Sequence, residues 1–445
     1  MKLIRTKGRG TSLAERTLAA LEGRGSAALD HVLPAVKRIV DGVRRDGDRA
    51  LLRYARKFDG LAGAGKHVDA LRVTREEMAA AWKALDRAMR DALTTAANQI
   101  RSFAEKQLPR SWKDSPVAGL TIGQVVRPLS SVGCYVPSGR HPLPSTLLMT
   151  AIPAHVAGVK RIVVVSPKPA TETLAAAHLL GITEFYRLGG AHAVAALAYG
   201  TASLPRVDKI VGPGNLYVTA AKRMVAFDCA IDMLAGPTEI VVTSEHGNAV
   251  EIASDLVAQA EHDPEALAVF VTTREELAQA VIAEAKERSR ENPVARESLD
   301  RNGVAIVAES VEEARRITNR LAPEHLTVDA ASDVKWVENA GSVFVGQWSA
   351  QPLGDYISGP NHTLPTGGMA RVRGGLSVND FVKLMTVQEY SRQGVRDLGP
   401  KAVLLAEAEG LTGHAEAIRV RHLRCGSRGL RRRDPRRTSR RRRSA

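Results

Sequence analysis

The sequence predicts an α/β fold: two parallel-sheet units in tandem, with a helical segment before them and another after. Three observations predict it. From about residue 122, short β-branched runs alternate with helical patterns. A second series of the same kind resumes beyond Pro264. Several of the runs end in Gly- and Pro-rich turns that lead into helices. Such alternation implies mostly parallel, Rossmann-like sheets covered on both faces.

The elements justify this in order. Residues 13–57 read as helix in two pieces split near 23–26, with Val32, Val36, Ile39, Val40 and Val43 at helical spacing. Residues 74–107 carry a second long, Ala-rich helical pattern. Neither holds an evident reaction centre, so packing is the expected role of both. Strands are expected at 123–126, 131–136, 161–166, 184–188, 208–211 and 240–242, with helices at 145–157, 171–180, 193–199 and 216–226 between them. The second unit opens with a helix between Asn248 and Pro264. Asn248 with Glu251 three residues on reads as a capping box, and Pro264 disfavours helical geometry at Asp263. Strands at 267–272, 303–308 and 342–345 and helices at 274–290 and 311–320 follow. Residues 380–409 read as helix again.

Composition narrows the setting. A chain of 445 residues is long enough for several domains. Its 44% hydrophobic and 25% charged content is ordinary for a globular protein, and 4% aromatics leave the core to Ala, Val, Leu and Ile. The net charge of +15 misleads, because twelve Arg and one Asp lie in residues 421–445; without that tail the chain is near +4. Cys134, Cys229 and Cys425 have no short pairing, which argues against a disulfide framework or a thiolate zinc site. No secretory signal opens the chain, and no window is apolar enough to span a bilayer, so no membrane role is expected and the cytoplasm is the expected compartment.

The chemistry-bearing residues fall in loops and at helix ends. Ile252 and Leu256 share a helix face, Gln259 takes its i+7 position, and His262 follows one turn later. An amide and an imidazole there need partners, either a core hydrogen bond or a metal or substrate. Ala322-Pro-Glu-His325 sets a carboxylate beside an imidazole. The breaker-rich stretch 354–368, read as neither helix nor strand, carries Asp355, Asn361 and His362. The N and O donors of Gln259, His262, Glu324, His325, Asp355, His362 and His414 would suit zinc, manganese or cobalt. Three turns, Cys134-Tyr-Val-Pro-Ser-Gly139, Gly189-Gly-Ala-His192 and Gly212-Pro-Gly-Asn215, could face anionic groups, but none is the G-x-G-x-x-G fingerprint.

These motifs resemble histidinol dehydrogenases over about residues 30–420. The resemblance rests on Lys57-Phe-Asp-Gly60, Gly133-Cys-Tyr-Val-Pro137, Val207-Asp-Lys-Ile-Val-Gly-Pro-Gly-Asn215, Ile231-Asp-Met-Leu-Ala-Gly-Pro-Thr-Glu239, Gln259-Ala-Glu-His262, Pro323-Glu-His-Leu326, Gly354-Asp-Tyr356 with Asn361-His362, and Glu409-Gly-Leu with His414. It implies a four-electron oxidation of L-histidinol to L-histidine through a bound aldehyde, using two NAD and water, the last steps of histidine biosynthesis. It implies one zinc per subunit on Gln259, His262, Asp355 and His414, the last donated with Glu409 by the partner subunit of a homodimer. Thr238 and His362 fall at further substrate-contacting positions, and Tyr135, His192 and Asn215 at NAD-contacting ones. In this reading Gln259, His262, His325, Asp355, Glu409 and His414 also meet the substrate. His325 is the candidate base for alcohol oxidation, and Glu324 takes a proton from the water that adds to the aldehyde.

The implied domains are an arm or helix over 1–27, a larger zinc- and substrate-bearing α/β domain over 28–132 and 240–376, an NAD-binding domain over 133–239, a helical dimerisation segment over 377–420 and a disordered tail over 421–445. The chain departs from the family at His192, where Gln is usual, at Thr238, where Ser is usual, and in the segment 138–144. The alternatives are a relative oxidising another small polar alcohol at the same site, and a binding protein working through its basic tail. Intact Glu324 and His325 argue against the latter. No aromatic residue interleaves the tail's arginines, so nucleic-acid binding is not expected.

Overall fold

The computed structural model describes residues 1–7, 11–24, 29–61, 68–138 and 142–426. The middle of the segment 138–144 and the tail from 427 lie outside the described residues. The strands, in chain order, are β1 (Lys2–Arg5), β2 (Trp112–Val117), β3 (Leu120–Pro128), β4 (Ser131–Tyr135), β5 (Arg161–Val165), β6 (Glu184–Tyr186), β7 (Lys209–Val211), β8 (Ala230–Ile231), β9 (Glu239–Thr243), β10 (Leu267–Thr272), β11 (Val304–Val307), β12 (His325–Val328), β13 (Ser342–Val345) and β14 (Val382–Tyr390). They form two parallel sheets and a small third one, and the α/β class read from the alternation holds.

The first parallel sheet has the order β6-β5-β4-β7-β8 and the second β1-β11-β10-β9-β12-β13. Each is wound the same way. The chain leaves a founding strand (β4 or β9), steps outward twice, then returns to that strand's other side. The direction of winding therefore reverses between β4 and β7 and again between β9 and β12. Strands buried on both faces read as continuous apolar runs, and β4, β9 and β10 are buried along their whole length.

Two helical layers cover the five-stranded sheet. Helices Leu33–Asp46, Asp48–Phe58, Gly190–Tyr199 and Leu216–Val225 share one core. Helices Arg75–Ala84, Arg87–Gln107, Pro144–Ala157 and Thr171–Leu179 share the other. The helices from Leu33 to Gln107 thus pack on this sheet, and not on the second sheet, where the domain boundaries read from the sequence had put residues 28–132. An apolar stripe says that a helix packs but not on which sheet. The six-stranded sheet is covered by Thr11–Glu22 and Val311–Leu321 on one face, and by Ala249–Ala260, Glu275–Arg288 and Pro293–Asn302 on the other.

Other differences are local. The arm expected over 1–27 begins with a strand, β1, hydrogen-bonded along β11. The helical stretch 13–57 is three helices, the last break falling at Gly47, whose φ of 53° favours glycine. The stretch 74–107 breaks before Asp86, which caps Arg87–Gln107 by accepting the Met89 N–H. The run 123–126 lies in β3, which pairs antiparallel with β2 instead of joining a parallel sheet. The helix expected from 380 starts as β14, where Val382-Lys-Leu-Met-Thr-Val387 supplies β-formers, and turns helical at Arg392–Ala408. The final helix, Thr412–Gly426, runs six residues into the segment expected to be disordered.

Two compact units result. One holds both parallel sheets, from Met1 to Leu108 and Pro128 to Val382; the other holds Pro109–Arg127 and the chain from Lys383 onward. Within the latter, all six residues of β2 are exposed, as are Leu384, Met385, Leu404, Leu405 and Leu411.

Candidate active site

The site is built where β9 and β12 begin. These strands are neighbours, with His325 beside Ile240, so the residues that enter them meet at one edge of the sheet. Helix Val311–Leu321 ends at Ala322, whose φ of 45° is the one positive value among described residues other than glycine. That left-handed turn costs on the order of 1 kcal/mol and swings Pro323-Glu-His325 directly into β12. Glu324 and His325 are both nearly buried.

Backbone atoms of Glu239 hold this pair. Its N–H donates to Glu324 Oε2 at 2.8 Å, and its carbonyl accepts from His325 Nδ1 at 3.1 Å. A carbonyl can only accept, so the Nδ1 proton is fixed and Nε2 is the nitrogen left to work. His325 Nε2 is buried with no hydrogen-bond partner among the described residues; Asp355 Oδ1 stands 3.7 Å away. Burial pushes the Glu324 carboxyl well above its usual range. Burial alone would lower His325, but the Glu324 and Asp355 carboxylates outweigh it and raise the imidazole. The two groups titrate as a pair.

The Gln259 stripe leads to the same place. Helix Ala249–Ala260 starts one residue after Asn248, whose side chain accepts from Val250 N–H at 2.8 Å. The cap is one-sided, without the reciprocal Glu251 bond expected of a capping box. Gln259 is fully buried; its amide donates to Thr238 Oγ1, which donates in turn to Glu324 Oε2 at 2.6 Å. Gln259 Oε1 is left buried with no partner among the described residues. An orphaned oxygen of this kind costs about 1–3 kcal/mol unless something outside the chain meets it.

Asp355 sits on a short helix, Gln351–Tyr356, in a stretch read as too rich in breakers for one; Pro352 is tolerated because it falls in the first turn. Gln351, one turn earlier, donates to Asp355 Oδ2 at 2.9 Å. His362 Nδ1 donates to the Asp355 carbonyl at 2.9 Å, and its Nε2 lies 3.3 Å from Thr146 Oγ1. Burial would raise Asp355, but the neighbouring His325 holds its carboxyl below the ordinary value; burial lowers His362. A cavity of about 340 Å³ opens here, lined by His325, Phe344, Trp348, Asp355, Asn361 and His362 among others. Its size suits a small ligand.

His262 lies exposed two residues beyond its helix, close enough for its charge to bear on His362. His414, in the first turn of Thr412–Gly426, and Glu409, at the end of Arg392–Ala408, are exposed on the other unit. No cluster of three His, Cys, Asp or Glu side chains gathers for a metal among the described residues. The donor set nevertheless suits zinc: an unpaired amide oxygen, a carboxylate kept ionised, and imidazoles.

The residues expected to meet a nucleotide lie toward the carboxyl edge of the five-stranded sheet, where its winding reverses. Gly212, at φ 111°, lies against the Tyr135 carbonyl so closely that a Cβ would come within 2.2 Å of it. A buried ion pair clamps this turn: Asp232 Oδ2 accepts the Gly212 N–H at 2.7 Å, and Lys222 donates to both Asp232 and the Gly212 carbonyl. Asn215 is exposed and caps Leu216–Val225. Tyr135 and His192 are buried. Tyr135 Oη accepts the Gly190 N–H at 2.9 Å, and His192 Nε2 is 2.8 Å from Asp59 Oδ2. His192 thus has a carboxylate partner in Asp59 beneath the edge.

Sequence reasoning passed over Asp59, Asp232 and Glu239, although all three lie inside the motifs it quoted. Gln351 had a readable signal, its i,i+4 spacing from Asp355. Arg24 and Thr146 had none.

A family model described as histidinol dehydrogenase matches residues 23–422. A histidinol dehydrogenase of Bacillus thuringiensis subsp. konkukian is 46% identical over 398 residues, covering 87% of this chain and 92% of that protein. One from Wolinella succinogenes is 44% identical over 424 residues, covering 92% and 98%. The crystal structure of histidinol dehydrogenase from Elizabethkingia anophelis superposes with a TM-score of 0.88 at 32% identity, covering 96% of this chain and 99% of that one.

Proposed function

The chain belongs to the histidinol dehydrogenase family, and on that premise we propose that the edge shared by β9 and β12 is where it oxidises L-histidinol to L-histidine. The observation that carries this reading is the buried Glu324–His325 pair with a single imidazole nitrogen left open beside a cavity of substrate size. The chemistry asks for such a pair. Each of two oxidations passes one hydride to NAD, and each needs a group to take a proton.

His325 is the base of the first oxidation. Its Nδ1–H is committed to the Glu239 carbonyl, so Nε2 faces the alcohol hydroxyl and takes its proton as hydride leaves the carbon. Glu324 and Asp355 raise the imidazole, and a cation held beside it would offset them and bring it toward the neutrality a base needs. Glu324, held by Thr238 and the Glu239 N–H, removes a proton from the water that adds to the aldehyde. The hydrate then passes its one carbon-bound hydrogen as hydride to the second NAD while His325 takes the proton of a hydroxyl, and the product leaves as the carboxylate.

Gln259, His262, Asp355 and His414 of the partner subunit would hold the zinc. When bound, the ion supplies a fixed positive charge that anchors the substrate's imidazole and amine. Support comes from Gln259 Oε1, which lacks a partner among the described residues, and from the carboxylate of Asp355. Thr238, His362 and the partner's Glu409 would complete the substrate's surroundings. NAD would lie over the Gly212–Asn215 turn, with Asn215 at the surface and Tyr135 and His192 supporting it from below. The apolar side chains exposed on the Lys383-onward unit favour a homodimer, in which a second copy covers them.

The test is metal analysis together with histidinol-driven NADH formation, with and without a chelator. One zinc per chain and activity lost to the chelator and restored by zinc support the reading. NADH formation from histidinol with no metal bound would overturn the zinc assignment, and none from the zinc-loaded protein would overturn the substrate.

A further inference from the structure

Both reacting side chains hang from one residue that does no chemistry itself. Glu239 holds Glu324 through its N–H and His325 through its carbonyl. Its own side chain is buried, at 1% exposure, and does not line the cavity. There it receives Arg24, which forms an ion pair with it through Nη2 and reaches on to the Leu321 carbonyl at 2.8 Å. Arg24 Nη1 is also bonded to the Leu21 carbonyl. On the opposite side the Gly367 N–H donates to Glu239 Oε1. Four segments are tied together through this carboxylate and Arg24: the turn after the N-terminal helix, the last turn before Glu324, β9, and the loop after His362.

We infer that Arg24 and Glu239 are positioning residues for the oxidation, which set Glu324 and His325 through the Glu239 peptide without touching substrate. This rests on the reading of Glu324 and His325 as the reacting pair. The argument is one of leverage. Arg24 gives Nε and Nη2 to one oxygen, Oε2, while the Gly367 N–H takes Oε1, so each carboxylate oxygen has its own charged or backbone donor and the group cannot turn freely. The Glu239 side chain, pinned on two sides, fixes the Cα from which both backbone bonds depart. Misplacement of a reacting group by about 1 Å costs on the order of a hundredfold in rate. A second consequence concerns the N-terminus. Arg24 lies 300 residues from Glu324 in sequence, so the segment before the first helical layer of the five-stranded sheet takes part in catalysis although Arg24 does not line the cavity.

The experiment separates positioning from mere stability. Removing the cation alone strands a buried carboxylate, so Arg24→Met should unfold more readily and lose kcat in both oxidations by about tenfold to a hundredfold. KM for NAD and zinc content should hold. The double variant Arg24→Met/Glu239→Gln no longer buries an unpaired charge, and its Tm should return most of the way. Its kcat should stay low, because the tether is still missing. Recovery of kcat together with Tm, or an unchanged kcat in Arg24→Met, would overturn the proposal. Adding His325→Asn to Arg24→Met should cost less than His325→Asn costs alone, since the second change acts on a base already misplaced. If His325→Asn by itself leaves kcat intact, the reading of the reacting pair fails first, and that outcome is distinct from an additive cycle, which would sink Arg24 alone.

Discussion

At the carboxyl edge of the five-stranded sheet, the turn after β7 leaves Asn215 exposed at the head of a helix. At the equivalent place in the six-stranded sheet, between β9 and β12, the chain fills the edge with its own carboxylates. Asp329 accepts from Ser244 Oγ at 2.5 Å, Glu245 N–H at 2.7 Å and His246 N–H at 3.2 Å. Glu245 in turn takes the Thr273 N–H at 2.9 Å and its hydroxyl. The donors that would greet an anionic ligand are already satisfied. The pair we propose to react sits instead at the opposite, amino edge of this sheet, where Glu324 and His325 enter β12. The two sheets share a winding that nominates the carboxyl edge for ligand binding. Side chains decide whether the nomination stands, and in the second sheet they close one edge and arm the other.

The largest expected effect breaks or keeps the armed edge. His325→Asn should lower kcat of both oxidations by about 10²–10⁴, measured with histidinol and with histidinaldehyde. Glu324→Gln should slow aldehyde oxidation far more than alcohol oxidation. Equal and mild losses in both variants would move the chemistry elsewhere. The closed edge comes next. Asp329→Ala strands the part-buried Ser244 hydroxyl and Glu245 N–H and frees an exposed His246 N–H, and should lower the unfolding free energy by about 2 kcal/mol, read by urea denaturation. Its kcat at saturating substrate should remain within about twofold of the parent. A stable variant with lost activity would mean that this edge handles a ligand after all.

The open edge predicts a smaller and different loss. Gly212→Ala would place a methyl 2.2 Å from the Tyr135 carbonyl at a φ of 111°, a strain of about 1–3 kcal/mol. Because the turn must shift, KM for NAD should rise roughly tenfold with kcat nearly kept. An unchanged KM for NAD would separate this turn from the cofactor.

Much of this was legible in the sequence, and for a physical reason. Alternating strand and helix runs carry their period locally, so both parallel sheets and the Gln259 stripe could be read without the structure. Pairing does not travel that way. That β1 adds to β11 across some 300 residues, or that helices Leu33–Asp46 and Arg87–Gln107 cover the first sheet instead of the second, depends on which apolar face meets which. Glu324 and His325 stood out as neighbours in the chain. Their dependence on Glu239 came through backbone atoms that every residue carries, and such contacts leave no compositional trace. The partner of His192 was equally illegible: Asp59 lies 133 residues away in the chain and meets the imidazole only in the fold.

The smallest expected effect sharpens the contrast between a carboxylate that closes an edge and one that is simply buried. Asp329 is met by three donors, whereas Asp255, on helix Ala249–Ala260, is met by the Gln351 backbone N–H and faces the charge of Glu251. Burial, too weakly opposed, pushes its carboxyl up to about 6 from 3.8. A carboxyl raised on folding holds its proton more tightly in the native state, so stability is fully present below the unfolded value, near pH 4. It is then lost as pH rises through about 6 and stays flat beyond. A shift of this size would correspond to about 3 kcal/mol for a dry site, and partial exposure with solvent screening reduces that to about 1 kcal/mol. Asp255→Asn should therefore be more stable than the parent at pH 7.5 by about 1 kcal/mol and nearly equal to it at pH 4. Urea denaturation at the two pH values reads the difference directly. Parallel pH profiles for the two proteins would mean that the single amide and surrounding water satisfy Asp255 as fully as three donors satisfy Asp329.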